Sequence, residues 1–213
     1  MNEHLSLGPD GESLSRILFV RHGHVEGIDP PRFRGRADVP LTAQGRAQAR
    51  AAAAFIAAHY RPSSLYSSPL QRCRDTAGEI AAACGLHGTA LEALSDLDYG
   101  EWQWKTEDEV RARWPQLLEL WLHQPQLVRF PKGESLQDLT ARVADVLRMT
   151  LERHAQQTVV LVGHDSGIRA MLLQLLELPL SGYWGLALSP GGISEAELSA
   201  SGGRLIRLNT QPR

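Results

Sequence analysis

Two arginines and two histidines in this sequence stand where an apolar segment gives way to a polar one. Arg21 and His22 follow the run ILFV, and His164 follows the run TVVLVG. Arg72 lies shortly after a third segment, SLYSS. Guanidinium groups stay protonated and bind phosphate oxygens in pairs. Because no acidic cluster matches these four residues, the pattern indicates a site for a dianion such as a phosphoryl group.

Residues of these types can transfer a phosphoryl group. A neutral imidazole attacks phosphorus and forms a covalent intermediate, which divides one difficult step into two. A second histidine, if protonated, stabilises the charge on the phosphoryl oxygens, and a carboxylic acid protonates the leaving alkoxide. The sequence has none of the usual ligand spacings for zinc or magnesium. We therefore expect neither a metal nor a cofactor.

The segments that must position these residues are predicted strands. Residues 15–20 and 158–163 are rich in branched apolar residues, and residues 64–68 form a shorter segment of similar type. In an open α/β sheet, ligands bind beyond the carboxyl ends of the strands. The three strand ends are therefore expected to bring the arginines and histidines to one point.

The alternation of strands with helices predicts the fold class. Because the strands are continuously apolar, both of their faces are expected to be buried. This favours an α/β fold of three layers (αβα) with a mainly parallel central sheet. Residues 1–14 are expected to be a lead-in, and residues 15–213 a single domain. Several helices are predicted from their capping residues. One begins after Thr42, one begins at the capping box of Thr106 and Glu109 and continues through LLELWL, and one begins at the capping box of Ser135 and Asp138. A further helix, GIRAMLLQLLEL, is expected to extend up to Pro179.

Composition narrows the classes of partner. The net charge of −2 argues against a surface for nucleic acid or anionic lipid. No apolar run has the length of a membrane span, and the polar N-terminus lacks the apolar core of a signal peptide. The chain has only two cysteines, eleven residues apart on one predicted helix, so we expect a cytoplasmic protein without a disulfide. The expected partner is a small phosphorylated metabolite.

Six motifs in order carry a resemblance to a known family. The chain resembles the histidine phosphatase superfamily, in the branch that contains phosphoglycerate mutases, α-ribazole phosphatases and broad-specificity phosphatases. The resemblance extends from about residue 17 to residue 198, and each motif alone is weak evidence. The motifs are FVRHG, FRGRADVPLTAQGRAQA, SSPLQRCRDTA, DYGEW, PKGES and VGH.

The resemblance implies a phosphoglycerate mutase-like fold and roles for the four residues. His22 would be the phosphorylated nucleophile, while Arg21, Arg72 and His164 would bind the phosphoryl group. The family's proton donor is usually a glutamate, and Asp96 stands at that position in LSDLDYG. Asp165 is a rival, because a more distant branch takes its donor from a His-Asp pair.

Departures from the family pattern surround the substrate pocket. His24 stands where relatives often have Glu or Gln, and Gln103 with Trp104 replaces the usual Glu-Gly. We expect His24, Gly35 and Asp165 to be possible substrate contacts. These changes indicate an altered preference for the leaving group.

Several reactions are compatible with this set of residues. Hydrolysis of a small phosphate ester is favoured, because the segment between SSPL and PKGES is compact and lacks the insertion common in mutases of this family. A phosphoglycerate mutase using the same phosphohistidine is the main alternative. A protein phosphohistidine phosphatase and an inactive regulatory relative are further alternatives, and the protein is expected to be a monomer or a homodimer.

Overall fold

The computed structural model describes residues 14–212, in which six strands and six α-helices are joined by loops and short 3₁₀ turns. The predicted lead-in lies almost wholly outside the described residues. The strands are β1 (Ser15–Arg21), β2 (Ser64–Ser67), β3 (Gly88–Ala90), β4 (Thr158–Gly163), β5 (Ile193–Ser199) and β6 (Gly202–Thr210). The helices are α1 (Ala43–His59), α2 (Gln71–Cys84), α3 (Glu107–Arg113), α4 (Pro115–His123), α5 (Leu136–Arg153) and α6 (Asp165–Leu175).

All six strands form one sheet in the order β3-β2-β4-β1-β5-β6. The first four strands in this order are parallel to one another, whereas β5 is antiparallel to β1 and β6 is antiparallel to β5. In the register of β1 and β4, Arg21 pairs with Gly163. The carboxyl ends of these two central strands are therefore level, and the residues that come after them meet at one edge.

Side chains of β1 enter two different cores on opposite faces of the sheet. Ile17 and Phe19 pack with residues of α5 and α6, whereas Leu18 and Val20 pack with residues of α1 and α2. All four are fully buried. This explains why the strand is continuously apolar, and it confirms the predicted three-layer arrangement with a mainly parallel sheet.

The helix starts predicted at Thr42, Thr106 and Ser135 are confirmed. The Thr42 hydroxyl accepts a hydrogen bond from the backbone N–H of Gly45, and both predicted capping boxes are formed, at α3 and at α5. Each cap satisfies backbone donors that have no partner within the helix.

Two predicted helices have different bounds in the structure. The helical segment that begins after Thr106 divides into α3 and α4 at Pro115, whose ring disfavours helical backbone at the preceding Trp114. The helix predicted up to Pro179 ends at Leu175 instead, and Glu177 adopts a left-handed backbone conformation with φ of 55°. No helix within residues 14–212 combines the length and the apolar character needed to cross a membrane.

Candidate active site

The carboxyl edge of the parallel strands brings His22, His164 and Arg72 together, as predicted. The two imidazole rings lie 5.2 Å apart between centroids, with an interplanar angle of 63°. The backbone N–H of His22 donates to the carbonyl of Gly163, which extends the pairing of β1 with β4. Nε of Arg72 lies 3.3 Å from Nδ1 of His164. All three side chains are buried, so the cluster is largely shielded from solvent.

Arg21 ends β1 on the same edge. Its Nη1 donates to the carbonyl of Leu188 over 2.5 Å and lies 3.9 Å from a carboxylate oxygen of Asp165. Its Nε is buried and has no hydrogen-bond partner in the described part of the chain. The side chain is therefore held by two protein groups and keeps a donor for a further acceptor.

Hydrogen bonding sets the tautomer of His22. Its Nδ1 lies 2.7 Å from the carbonyl oxygen of Gly23, and because a carbonyl only accepts, Nδ1 carries the proton. Burial, followed by the positive charge of Arg72, lowers the pKa of His22 well below the ordinary value of 6.5. The imidazole is therefore neutral at physiological pH, with the lone pair on Nε2.

His164 is the complementary tautomer. Its Nδ1 accepts from Arg72, so Nε2 carries the proton, 2.8 Å from the hydroxyl oxygen of Ser68. Burial and then the charge of Arg72 lower its pKa well below 6.5. His164 is therefore neutral in the resting protein. The protonated form of His164 that the sequence suggested requires additional negative charge nearby.

Arg72 is fully buried and donates to several groups. Its Nη1 donates to the carbonyl of Ala37, and its Nη2 donates to the carbonyl of Gly35, each over 2.7 Å. A salt bridge of 3.1 Å joins Nη2 to Asp96. Gly35 has a positive φ of 47°, which glycine adopts without a steric cost. This residue, predicted as a possible substrate contact, thus uses its carbonyl to orient Arg72.

Asp96 reaches the cluster directly despite its short side chain. One carboxylate oxygen lies 3.1 Å from Arg72 and 3.5 Å from Nδ1 of His164. The other accepts from the hydroxyl of Ser166 and, over 2.9 Å, from the backbone N–H of Leu97. The expected family donor position therefore lies beside the buried His164 and Arg72.

Asp165, the predicted rival, has a different environment. Its carboxylate lies 3.4 Å from Arg169 and 3.9 Å from Arg21. Burial opposes its ionisation, but the charges of Arg21, Arg169 and Arg34 outweigh burial and lower its pKa from 3.8. These contacts favour the ionised form of Asp165.

His24 lies on the loop after β1, two residues beyond His22. Its Nδ1 is 3.1 Å from the hydroxyl oxygen of Thr42, and its backbone N–H donates to Gln48. Both partners belong to the start of α1, so these contacts attach the loop after β1 to that helix. The predicted contact of His24 with substrate stays a prediction.

Three residues in or near the site were not predicted from the sequence. Ser166 holds Asp96 from the first turn of α6. Arg142 of α5 donates to the backbone carbonyls of Ala93, Ser95 and Asp96 and so fixes the loop that carries the carboxylate. Arg34 is half-buried, and the charges of Asp165 and Asp96 act on it. The position of Ser166 directly after the His-Asp pair could have indicated that it belongs to the site. No neighbouring residue in the sequence marks Arg142 or Arg34 in this way.

Because His22 and His164 are neutral in the folded protein, we expect the free energy of unfolding to fall in mild acid. In the unfolded chain each histidine takes up a proton below about pH 6.5, whereas the pKa values of His22 and His164 are lowered in the folded protein. Their stabilising contribution is thus complete above pH 6.5 and is lost as the pH falls, by up to about 1.4 kcal/mol per pH unit for each histidine. Urea unfolding between about pH 7.5 and pH 5 measures this slope.

His164→Gln provides the matched test of that slope, and exposed His59 provides the control. The slope should become shallower in His164→Gln and stay the same in His59→Gln. The lowered pKa of Asp165 contributes only at more acidic pH. A slope that is equal in wild type and His164→Gln would contradict the neutral state assigned to His164.

A three-layer αβα fold with paired histidines and arginines at the carboxyl edge of its sheet defines the phosphoglycerate mutase-like class. Residues 17–211 match the histidine phosphatase superfamily (branch 1), and the chain belongs to this family. The resemblance inferred from the six motifs is thereby confirmed.

Known relatives include both phosphatases and mutases. Phosphoserine phosphatase 1 of Hydrogenobacter thermophilus is 31% identical over 194 residues, covering 91% of this chain and 92% of the relative. A 2,3-bisphosphoglycerate-dependent phosphoglycerate mutase of Brucella melitensis is 31% identical over 200 residues, with coverage of 91% and 92%. A bifunctional protein of Mycobacterium tuberculosis is 32% identical over 197 residues. This match covers 92% of this chain but only 54% of the relative.

A solved structure supports the same relationship. The structure of a mycobacterial glucosyl-3-phosphoglycerate phosphatase with VO3 superposes with a TM-score of 0.82 at 27% identity. The match covers 92% of this chain and 98% of the other. The fold is therefore common to relatives that are named for different phosphorylated compounds.

Proposed function

We propose that the protein is a metal-independent phosphomonoesterase that hydrolyses a small phosphate ester through a phosphohistidine on His22. The observation that carries this proposal is the tautomer of His22. A neutral, buried imidazole with its proton on Nδ1 has a nucleophilic Nε2. The neighbouring Arg72 and Arg21 supply the positive charge that a phosphoryl dianion requires.

In the first step, Nε2 of His22 attacks phosphorus and the bond from phosphorus to the ester oxygen breaks. Asp96 donates its proton to the leaving alkoxide, and Arg21, Arg72 and His164 hold the remaining phosphoryl oxygens. The negative charge of the bound dianion favours protonation of His164, whose Nδ1 lies 3.5 Å from a carboxylate oxygen of Asp96 in the resting structure.

In the second step, water attacks the phosphohistidine. Asp96 accepts a proton from the water, the bond from phosphorus to Nε2 breaks, and inorganic phosphate leaves. His22 returns to its neutral state, with Nδ1 still donating to Gly23. In this proposal, the groups of the buried cluster at the edge of the sheet carry out both half-reactions.

A relative named phosphoserine phosphatase supports hydrolysis, and a relative named phosphoglycerate mutase supports transfer. Hydrolysis of p-nitrophenyl phosphate in EDTA, followed by incubation with 3-phosphoglycerate, separates the two activities. We expect hydrolysis that needs no metal and no formation of 2-phosphoglycerate. Interconversion of the phosphoglycerates without hydrolysis would identify a mutase instead. A small metabolite as substrate and a cytoplasmic location stay predictions.

Asp96→Asn tests the assignment of the proton donor. An alkyl phosphate has a poor leaving group that needs a proton, whereas p-nitrophenolate leaves without one. We expect kcat for an alkyl phosphate to fall by roughly 10²- to 10⁴-fold, and kcat for p-nitrophenyl phosphate to fall far less. Steady-state rates with both esters measure the difference.

Asp165→Asn is the matched comparison, because Asp165 is the rival carboxylate. Its kcat should not depend on the leaving group in this way. If Asp165→Asn shows the selective loss and Asp96→Asn does not, the donor has been assigned to the wrong residue.

A further inference from the structure

Ser68 contributes a buried hydroxyl to the site, and the proposed reaction does not use it. The residue lies directly after β2 and is fully buried. Its backbone N–H donates to the carbonyl of Val162 over 2.9 Å, which extends the pairing of β2 with β4. Its hydroxyl oxygen accepts from the backbone N–H of Leu70, just before α2, over 3.3 Å. The sheet and the start of α2 therefore fix the position of this hydroxyl.

The hydroxyl of Ser68 is the strongest acceptor near Nε2 of His164. The hydroxyl oxygen and Nε2 lie 2.8 Å apart. The other described contact of Nε2 is the sulfur of Cys73, at 3.5 Å. Burial raises the pKa of the Cys73 thiol, so the sulfur is uncharged and accepts only weakly. Without Ser68, the proton on Nε2 would have no oxygen acceptor among the described residues.

The other ring nitrogen of His164 lies beside the groups that act on the phosphoryl group. Nδ1 is 3.3 Å from Nε of Arg72 and 3.5 Å from a carboxylate oxygen of Asp96. The lone pair of Nδ1 would repel a phosphoryl dianion held by Arg72, whereas an N–H at the same atom would donate to the dianion. Because Nε2 already carries a proton, a proton that His164 takes up when the dianion binds must go to Nδ1.

We propose that Ser68 is a positioning residue that keeps a proton on Nε2 of His164, so that the proton taken up with the phosphoryl dianion goes to Nδ1. The inference rests on the proposed function and adds a residue that acts through His164 rather than on the substrate. A hydroxyl that accepts from an imidazolium stabilises the charged ring more than the neutral ring, because hydrogen bonds to charged groups are stronger. Ser68 therefore favours both the tautomer and the protonation that binding of the dianion requires.

Charged groups around His164 also act on its protonation. Burial lowers the pKa of His164 most, the nearby arginines lower it further, and Asp165 raises it. The variant Ser68→Ala changes none of these charges and removes only the acceptor of Nε2. A change in the protonation of His164 in this variant therefore reports on the hydrogen bond. The charged and titratable groups that face the imidazole are Arg72 and Cys73 of α2, Arg21 and His22 at the end of β1, Arg142 of α5, Asp165 at the start of α6, and Asp96.

Proton uptake on phosphate binding tests the proposal. Inorganic phosphate is titrated into the protein by calorimetry at about pH 8 in two buffers that differ in their enthalpy of ionisation, which gives the number of protons taken up per phosphate bound. We expect wild type to take up more protons than Ser68→Ala, by up to about one, because His164 is harder to protonate in the variant. The dissociation constant for phosphate should rise about three- to tenfold. The titration of phosphate itself is common to both proteins and cancels in the difference.

Two further variants separate the hydrogen bond from a general effect on packing. Ser68→Thr keeps the hydroxyl and should restore the proton uptake of wild type. Ser15→Ala removes another buried hydroxyl, which donates to the carbonyl of His154 at the amino end of β1, and it should leave the uptake unchanged. Equal uptake in wild type and Ser68→Ala, no recovery in a folded Ser68→Thr, or the same loss in Ser15→Ala would overturn the role of Ser68.

The tautomer of His164 is measured without ligand or turnover. In protein labelled with nitrogen-15 at histidine, ring nitrogens that carry a proton resonate apart from those that do not, and the signals of His164 are identified by their absence in His164→Gln. We expect the proton on Nε2 in wild type and a partial shift of the proton to Nδ1 in Ser68→Ala. A proton on Nδ1 in resting wild type would overturn the inference even if Ser68→Ala does not fold, and so would the same tautomer in both proteins.

Failure of the proposed function has a different signature. If p-nitrophenyl phosphate is not hydrolysed but proton uptake and the tautomer depend on Ser68, the hydrolytic function fails and the role of Ser68 stands. If hydrolysis occurs but neither measurement depends on Ser68, the proposed function stands and the role of Ser68 is excluded.

Discussion

His22→Ala is expected to lower kcat for p-nitrophenyl phosphate by roughly four orders of magnitude or more, because the variant has no atom to accept the phosphoryl group. The neighbours of His22 do not supply a substitute. His164 is 5.2 Å away between ring centroids and its Nδ1 is occupied by Arg72. Direct attack by water would then be the only route that remains.

Steady-state rates in EDTA measure this loss, and circular dichroism verifies that the variant is folded. His59→Ala is the matched control, because it removes an exposed histidine from α1. The control should retain wild-type activity. Residual activity of His22→Ala within tenfold of wild type would exclude a nucleophilic role for His22.

Arg72→Ala is expected to weaken both phosphate binding and the fold. The substitution removes a fully buried charge that contacts His164, Asp96 and the backbone of the loop that contains Gly35. The Asp96 carboxylate would be left without its buried counter-ion, a change that costs about 3–5 kcal/mol. We expect the dissociation constant for vanadate to rise about 100-fold or more, because a charge-assisted pair with the oxyanion is lost.

Two further variants separate these effects. Arg72→Lys retains the charge but cannot reproduce the fork of donors, so it should recover part of the stability and little of the vanadate affinity. Arg74→Ala, two residues along α2 and exposed, is the control for both measurements. An unchanged dissociation constant for vanadate in Arg72→Ala would remove this residue from the phosphate site.

The central fold and the histidine cluster were predictable because they depend on local patterns. A strand segment buried on both faces must be continuously apolar, as residues 17–20 of β1 are, and the carboxyl ends of parallel strands lie at one edge of the sheet. His22 and His164 could therefore be brought together from their positions at the ends of two such strands. The helix caps were predictable for a similar reason, because each depends on residues three positions apart.

The surroundings of the cluster were not predictable, because tertiary contacts position them. Phe33 accepts a backbone hydrogen bond from Trp104 and donates one to Lys105, between two irregular loops, and no sequence periodicity marks such a pairing. In the same way, Arg142 lies on the amphipathic α5, where an arginine is ordinarily solvent-exposed, yet it holds the carbonyls of the Asp96 loop.

Direct detection of a phosphate on His22 tests the central claim, which is that the phosphoryl group passes through Nε2 of this residue. Wild type mixed with p-nitrophenyl phosphate is quenched in alkali within the first turnover, digested and analysed by mass spectrometry. We expect a phosphate on the His22 peptide that is lost after brief treatment with acid. Turnover during which no phosphate is found on that peptide, or in which phosphate is found on another residue, would contradict the role of His22 as nucleophile.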